Sequence, residues 1–402
     1  MAQALIPVAE ARARILSMLT PTEQEPVLLA NAVGRILAED VVARRTQPPS
    51  DLSAMDGYAV RAADVSSVPA RLRVVGESPA GGAYDGILGE GEAVRIFTGA
   101  PVPHGADAIV IQEDTERYGD IVIAREKTVH GRNIRPAGLD FTKGTTGLAA
   151  GRKLSAADIA FAAAMNVSSL SLHRRPRIAF FSTGDELVRP GAPLGPNQIV
   201  SSNNDGLAAL IAEAGGVPLD LGIAPDRREA IRATARKAIG ADMLVTLGGA
   251  SVGDHDLVQA ALAEDGLDID FWRIAMRPGK PLMFGRYRDI PMLGLPGNPV
   301  SAQVCALLFL VPALTKLAGG EANAPRTVPA RLGTPLAEND QREDYLRAGI
   351  DHVPGELPVA TPFPKQDSSM LSLLSAADCL IVRPPHAPAA EAGEMVSVIP
   401  LR

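Results

Sequence analysis

Cysteine is nearly missing from this chain of 402 residues: Cys305 and Cys379 are all it has. Two are too few for a disulfide framework or a thiolate metal cluster, which fits a reducing compartment in which both serve as small buried apolar residues. An excess of positive charge is missing as well. With 21% charged residues and a formal net charge of -7, no basic field exists for a nucleic-acid backbone, so nucleic acid is not an expected partner and any anion binding has to be local. The amino-terminal stretch Met1 to Pro7 has no basic region followed by an apolar core, and no run reads as a membrane span. A soluble, cytoplasmic protein without a membrane partner is expected. No Gly-x-x-x-x-Gly-Lys-Ser/Thr run occurs, and no strand opens into Gly-x-Gly-x-x-Gly, which disfavours a P-loop nucleotidase and a nicotinamide dehydrogenase. His104, His130, His173, His255, His352 and His386 are scattered without zinc spacing.

What the chain does have is three glycine-rich turns, each just past an apolar β-type run: Phe180 to Leu187 (FFSTGDEL), Leu244 to Gly253 (LVTLGGASVG) and Leu293 to Pro299 (LGLPGNP). In an open parallel sheet the loops at the carboxyl ends of the strands converge on a crevice, and glycines there let backbone N–H groups approach an anion. Any one of these is an ordinary turn by composition. Three together, two with acids close by, point to a phosphate-bearing substrate contacted by Thr183, Gly184 and Asp185 in the first turn, Gly248, Gly249, Ser251 and Gly253 in the second, and Pro296, Gly297, Asn298 and Pro299 in the third.

The length exceeds what one core organises, so two to four domains are expected. Val8, Ala11, Ile15 and Leu19 recur at helical spacing, and a second helical pattern covers Leu28 to Ala38. Thr46-Gln-Pro-Pro reads as a linker. Short β-rich pieces (Leu72–Val75, Ala93–Phe97, Ala108–Gln112, Ile121–Ala124) then alternate with glycine turns, before helix returns over Leu154 to Met165. We therefore expect a helical domain from 1–45 and 143–175, interrupted by a β module over 46–142. From 176 to 325 strands and helices alternate in the βαβ manner, which predicts a parallel sheet with helices on both faces. The short, proline-punctuated pieces of 326–402 predict a carboxyl-terminal β barrel or sandwich.

Several constellations carry chemistry. Asp185 and Glu186 follow Thr183-Gly184, and Asp254 and Asp256 follow Gly253. Carboxylates beside phosphate-holding loops suit Mg²⁺, a hard ion bound through one or two carboxylates plus phosphate oxygens, which would neutralise developing charge and align a displacement. Solvated surface acids are the competing explanation. Arg277-Pro-Gly-Lys-Pro281 supplies a planar fork and a point charge on a rigid frame, a candidate anion pocket in an otherwise acidic chain. Pro48 to Val60 and Arg95 to Pro103 combine stiff turns with Asp56 and Thr98; a hairpin corner explains each equally well by composition.

In order, Ala54-Met-Asp-Gly-Tyr-Ala59, Ile96-Phe-Thr-Gly-Ala-Pro101, Ser182-Thr-Gly-Asp-Glu-Leu187, Gly248 to Gly253, Arg277 to Pro281 and Gly294 to Pro299 resemble the molybdopterin molybdotransferase family, that of MoeA and the gephyrin E-domain, along nearly the whole chain. The resemblance implies an elongated homodimer of four-domain subunits, with an elongated helical domain and a molybdopterin-binding three-layer α/β domain. It also implies a Mg²⁺-dependent reaction that joins molybdate to the dithiolene of adenylylated molybdopterin and releases AMP, with a molybdopterin adenylyltransferase as pathway partner. Carried over by position, Asp56, Thr98, Asp140, Glu186, Asp226 and Asp256 are active-site residues, Glu186 and Asp256 being the candidates for Mg²⁺. Arg277 and Lys280 are the basic pair, and Ser368 is a contact from the last domain. Two departures stand out: Arg277 replaces a common lysine, and Ser369 stands where a Ser-Gly pair is typical. A non-catalytic scaffold that keeps the pocket, and an adenylyltransferase sharing the α/β fold, are the competing readings. The intact acidic set argues against the first and the extra domains against the second.

Overall fold

The computed structural model describes residues 5–249, 257–352 and 354–402. Ser251, Gly253, Asp254 and Asp256 therefore lie outside the described residues. The chain divides into two compact units, one of residues 1–25, 34–38 and 171–402, the other of 26–33 and 39–170.

The smaller unit is built on a six-stranded sheet in the order Ala108–Ile111, Gly57–Val60, Glu92–Ile96, Ala70–Ser78, Ile121–Ala124, Thr115–Tyr118. Gly57–Val60 is buried at all four positions and pairs antiparallel on both sides. Its alternate side chains enter two separate cores, Tyr58 and Val60 in one and Ala59 in the other. The expected helix over Leu28 to Ala38 is instead one 3₁₀ turn, Leu29–Asn31, closed by Gly34 at φ +76°. A helix cannot continue through that conformation, and Leu28 and Val33 face solvent. The return helix Ala156–Ala164 does form, on a capping box in which Ser155 and Asp158 satisfy each other's backbone N–H groups.

The first helix, α1 (Val8–Ser17), places its apolar stripe in the core of the larger unit rather than against the return helix. That unit continues with β1 (Arg177–Thr183), α2 (Asn203–Glu213), β2 (Val217–Ala224), α3 (Arg228–Ala235), β3 (Met243–Leu247), α4 (Leu257–Ala263), β4 (Leu267–Trp272), β5 (Met276–Arg277), β6 (Met283–Tyr287), β7 (Ile290–Leu295), α5 (Pro299–Cys305) and α6 (Val311–Leu317). The central sheet runs β2-β1-β3-β7-β6-β4. Its first four strands are parallel, as expected, whereas β6 and β4 join antiparallel, so the sheet is mixed. Alternation along β1 serves both faces: Ile178 and Phe180 pack with α1, α2, α5 and α6, while Ala179 and Phe181 pack with α3 and α4. The helical run Pro299–Leu317 is long and apolar enough to cross a membrane by length and composition, which corrects the sequence reading, but it is mostly buried as the core helix of this domain.

The last domain comprises β8 (Val328–Leu332), β9 (Glu343–Asp351), β10 (Val359–Pro362), α7 (Leu371–Ala376), β11 (Cys379–Arg383) and β12 (Met395–Pro400). Its sheet runs β5-β9-β10-β8-β12-β11, and pairing of β9 with β11 closes the barrel. Two-residue β5, from the α/β domain, adds to its edge parallel to β9.

Candidate active site

The turns after β1, β3 and β7 meet in a cleft of about 1180 Å³, outside the carboxyl ends of parallel strands whose order reverses between β1 and β3. Thr183, Gly184, Glu186, Gly248, Gly249, Pro296, Gly297, Asn298 and Pro299 all line it. Gly184 sits at φ +149°, and a Cβ there would lie 2.6 Å from Glu186 Oε2. Glycine is what lets the Glu186 carboxylate fold back over its own turn. The second turn is tied to the third strand by Gly248 N–H donating to Leu295 O at 3.1 Å. The third is held from two sides: Asn203 Nδ2 donates to Gly297 O at 2.7 Å, and Asn298 Nδ2 donates to Ser368 Oγ at 2.8 Å. Val300 N–H also donates to Ser368 O at 3.0 Å. Ser368 thus enters the cleft from the last domain, while Ser369 donates to Asp367 Oδ1 at 2.6 Å.

The acids on this wall are not equivalent. Asp226 lines the cleft with Glu186, and its N–H donates to Asp185 Oδ1 at 3.1 Å. Partial burial, with the negative charges of Asp185 and Glu186, pushes the Asp226 carboxyl above its ordinary pKa. Asp185 acts here as the acceptor that ties the first turn to Asp226.

The basic pair divides. Arg277 Nε lies 2.9 Å from both oxygens of Asp344, and a terminal nitrogen also contacts that carboxylate. That same nitrogen, Nη2, also donates to Asn339 Oδ1 at 3.2 Å, and Nη1 lies 3.5 Å from Asp340 Oδ2. The expected free fork is therefore occupied, because Asp344 is buried and needs a counter-charge. Lys280 lines the cleft exposed and makes no ion pair or side-chain hydrogen bond among the described residues.

In the smaller unit, Asp56 and Thr98 are brought together. Asp56 Oδ1 accepts from Thr98 N–H at 2.7 Å and from Thr98 Oγ at 2.8 Å, and these two bonds lower its pKa. Sequence reasoning missed Arg95, which lies over the Tyr58 ring at 5.2 Å and the Phe97 ring at 4.8 Å and donates to Gly57 O at 3.1 Å. Its place in the quoted motif, one residue before Ile96-Phe-Thr, was the available signal. Asp140 is exposed; its N–H donates to Gln47 O at 3.0 Å, and its side chain makes no hydrogen bond with Asp56 or Thr98.

Three family models match in order: the MoeA N-terminal region (domain I and II) over residues 6–166, a probable molybdopterin binding domain over 179–316, and the MoeA C-terminal region (domain IV) over 329–401. The chain is 41% identical over 342 residues to the molybdopterin molybdenumtransferase of a Nostoc species, covering 83% of this chain and 78% of that one. It is 34% identical over 402 residues to that of Haemophilus influenzae, covering 98% of each. Among solved structures, the molybdopterin biosynthesis MoeA protein of Pyrococcus horikosii superposes with a TM-score of 0.86 at 31% identity, over 99% of this chain and 100% of that one. Since motifs, domain order and fold agree along the chain, the protein belongs to the MoeA family of molybdopterin molybdenumtransferases.

Proposed function

We propose that the chain inserts molybdate into adenylylated molybdopterin and releases AMP, giving molybdenum cofactor. The observation that supports this most strongly is one cleft with a glycine-turn floor, a carboxylate wall at Glu186 and Asp226, and Lys280 as the lining cation that has no ion pair among the described residues. Backbone N–H groups at Gly249, Gly297 and Asn298 suit the pyrophosphate, Lys280 suits the incoming oxyanion, and Asn203 and Ser368 brace the third turn. Arg277 braces Lys280 from behind instead of binding the anion.

Mg²⁺ fits the acidic wall, because carboxylate oxygens are its preferred donors and the crowding of negative charge around Asp226 is what a divalent cation relieves. Glu186 and Asp226 are the described residues that would hold it, with Asp256 as the third acid implied by the resemblance. When bound, Mg²⁺ would neutralise phosphate charge. Asp56, ionised and held by Thr98, acts in this reading on the same substrate within a homodimer, the β module of one subunit serving the cleft of the other. The protein is expected in the cytoplasm, downstream of an adenylyltransferase that supplies its substrate.

Incubation of the purified protein with adenylylated molybdopterin, molybdate and Mg²⁺ should release AMP and form active cofactor together. Tight binding of the nucleotide without AMP release would instead make the chain a carrier.

A further inference from the structure

We infer that Arg277 is a positioning residue: clasped by Asp344 of the carboxyl-terminal barrel, it fixes the 277–281 turn so that Lys280, rather than Arg277, offers its charge to the cleft. This rests on the reading that Lys280 receives the oxyanion.

Three features support the clasp. The backbone already joins the two domains here, because β5 pairs with β9 through Met276 opposite Glu343 and Arg277 opposite Asp344, and Glu343 N–H donates to Ala275 O at 2.9 Å. The side chains repeat that link with a forked, charge-assisted contact on a carboxylate whose side chain is 6% exposed. Turning Arg277 toward an anion would leave Asp344 buried without a counter-charge, and such a loss is costly. Around the fork, Arg342 Nε lies 3.2 Å from both oxygens of Asp340, so Arg277 and Arg342 balance Asp340 and Asp344 and the cluster projects no net charge. Beneath the turn, Gly279 at φ +109° lies so close to Cys305 that a Cβ would fall 2.4 Å from Sγ. Lys280 O accepts from Ile274 N–H at 3.0 Å and Leu282 N–H at 3.1 Å. Both ends of the turn are thus seated, and Arg277 supplies the lateral tie. A lysine there keeps the charge but not the planar fork, which accounts for arginine at this position in a chain that offers Asp344.

The test is a double-mutant cycle on the full chain, reading AMP release as a function of molybdate concentration, with half-saturation by adenylylated molybdopterin and thermal midpoint measured in parallel. We expect Arg277→Gln and Asp344→Asn each to raise half-saturating molybdate severalfold while changing nucleotide half-saturation less than twofold, and the double variant to be no worse than the poorer single one. Arg277→Lys should recover only part of the loss. If Asp344→Asn does not fold alone, Arg277→Gln is compared with the double variant, in which no charge is unpaired; equality supports the clasp and a further loss overturns it. A large effect of Arg277→Gln with none for Asp344→Asn makes Arg277 an anion ligand and overturns the proposal. Parallel loss of both half-saturations with the thermal midpoint reduces the contact to a fold-stabilising one and also overturns it. Lys280→Ala is the separate control: if it leaves the molybdate dependence unchanged, the reading of Lys280 fails, whatever the cycle shows about the clasp.

Discussion

Asp226 in the α/β cleft and Asp56 in the β module are both carboxylates within reach of solvent, yet their surroundings push them in opposite directions. Asp226 is pressed by partial burial and by Asp185 and Glu186, so its charged form is disfavoured. Asp56 receives two hydrogen bonds from Thr98, so its charged form is favoured. The difference teaches that residue type alone does not set behaviour: one acid sits among like charges that disfavour its ionised form, the other is a fixed acceptor whose ionised form is favoured.

The sharpest way to break that comparison is to remove the acids separately. Asp56→Ala and Glu186→Ala chains are each expected to be inactive, while mixing them under conditions of subunit exchange should restore part of the activity, since one intact site is regenerated; a confirmed heterodimer without recovery ends the shared-site reading. Next in size, Glu186→Gln should lower turnover at least about a hundredfold while affinity for adenylylated molybdopterin, read by titration calorimetry, changes by less than about tenfold, roughly 1.4 kcal/mol. Equal losses would make Glu186 a ground-state binding residue. Lys280→Ala should raise half-saturating molybdate about 10- to 150-fold, the worth of a charged hydrogen bond of about 1.5–3 kcal/mol.

Smaller effects sharpen the electrostatic contrast. Thr98→Val removes the hydroxyl donor but keeps the N–H, so the acid limb of the rate profile should move toward higher pH as the Asp56 carboxyl returns toward its usual value. An unmoved limb would detach Asp56 from that limb. Asp226→Asn should have the reverse character. A carboxyl whose folded-state pKa is raised stabilises the fold fully below its unfolded pKa and loses that contribution as pH rises through the folded value. The Asn variant should therefore melt slightly higher than the parent at neutral pH, with the difference fading in acid, and Mg²⁺ should raise the midpoint of the parent but not of the variant. A variant less stable at neutral pH would contradict the crowding of charge around Asp226.

Much of the fold was legible because it is local. Met243–Leu247 is apolar but for Thr246 and stops at Gly248-Gly249, which marks a buried strand and its turn without reference to any other part of the chain. The same holds for the strand Ile121–Ala124, which follows the turn at Gly119. Legibility failed where a distant partner decided. Leu28 to Ala38 has helical spacing, but Gly34 takes a positive φ, Leu28 and Val33 stay in water, and Ile36 and Leu37 are buried without a helix. Strand β4 alternates apolar and acidic residues from Leu267 to Phe271, but its place beside β6 and the antiparallel sense of β6 in the sheet come only from the pairing.

By itself, the sequence determined where the glycine turns that line the cleft lie and which domain carries them, because glycine, proline and alternating apolar residues act within a few positions of one another. Which charges face the cleft was decided by tertiary structure. Arg277 meets Asp344 across 67 positions and Thr98 meets Asp56 across 42; an ion pair or hydrogen bond depends on distances of a few ångströms that no local pattern encodes, so only folding could commit Arg277 to the frame and leave Lys280 exposed in the cleft without an ion pair among the described residues.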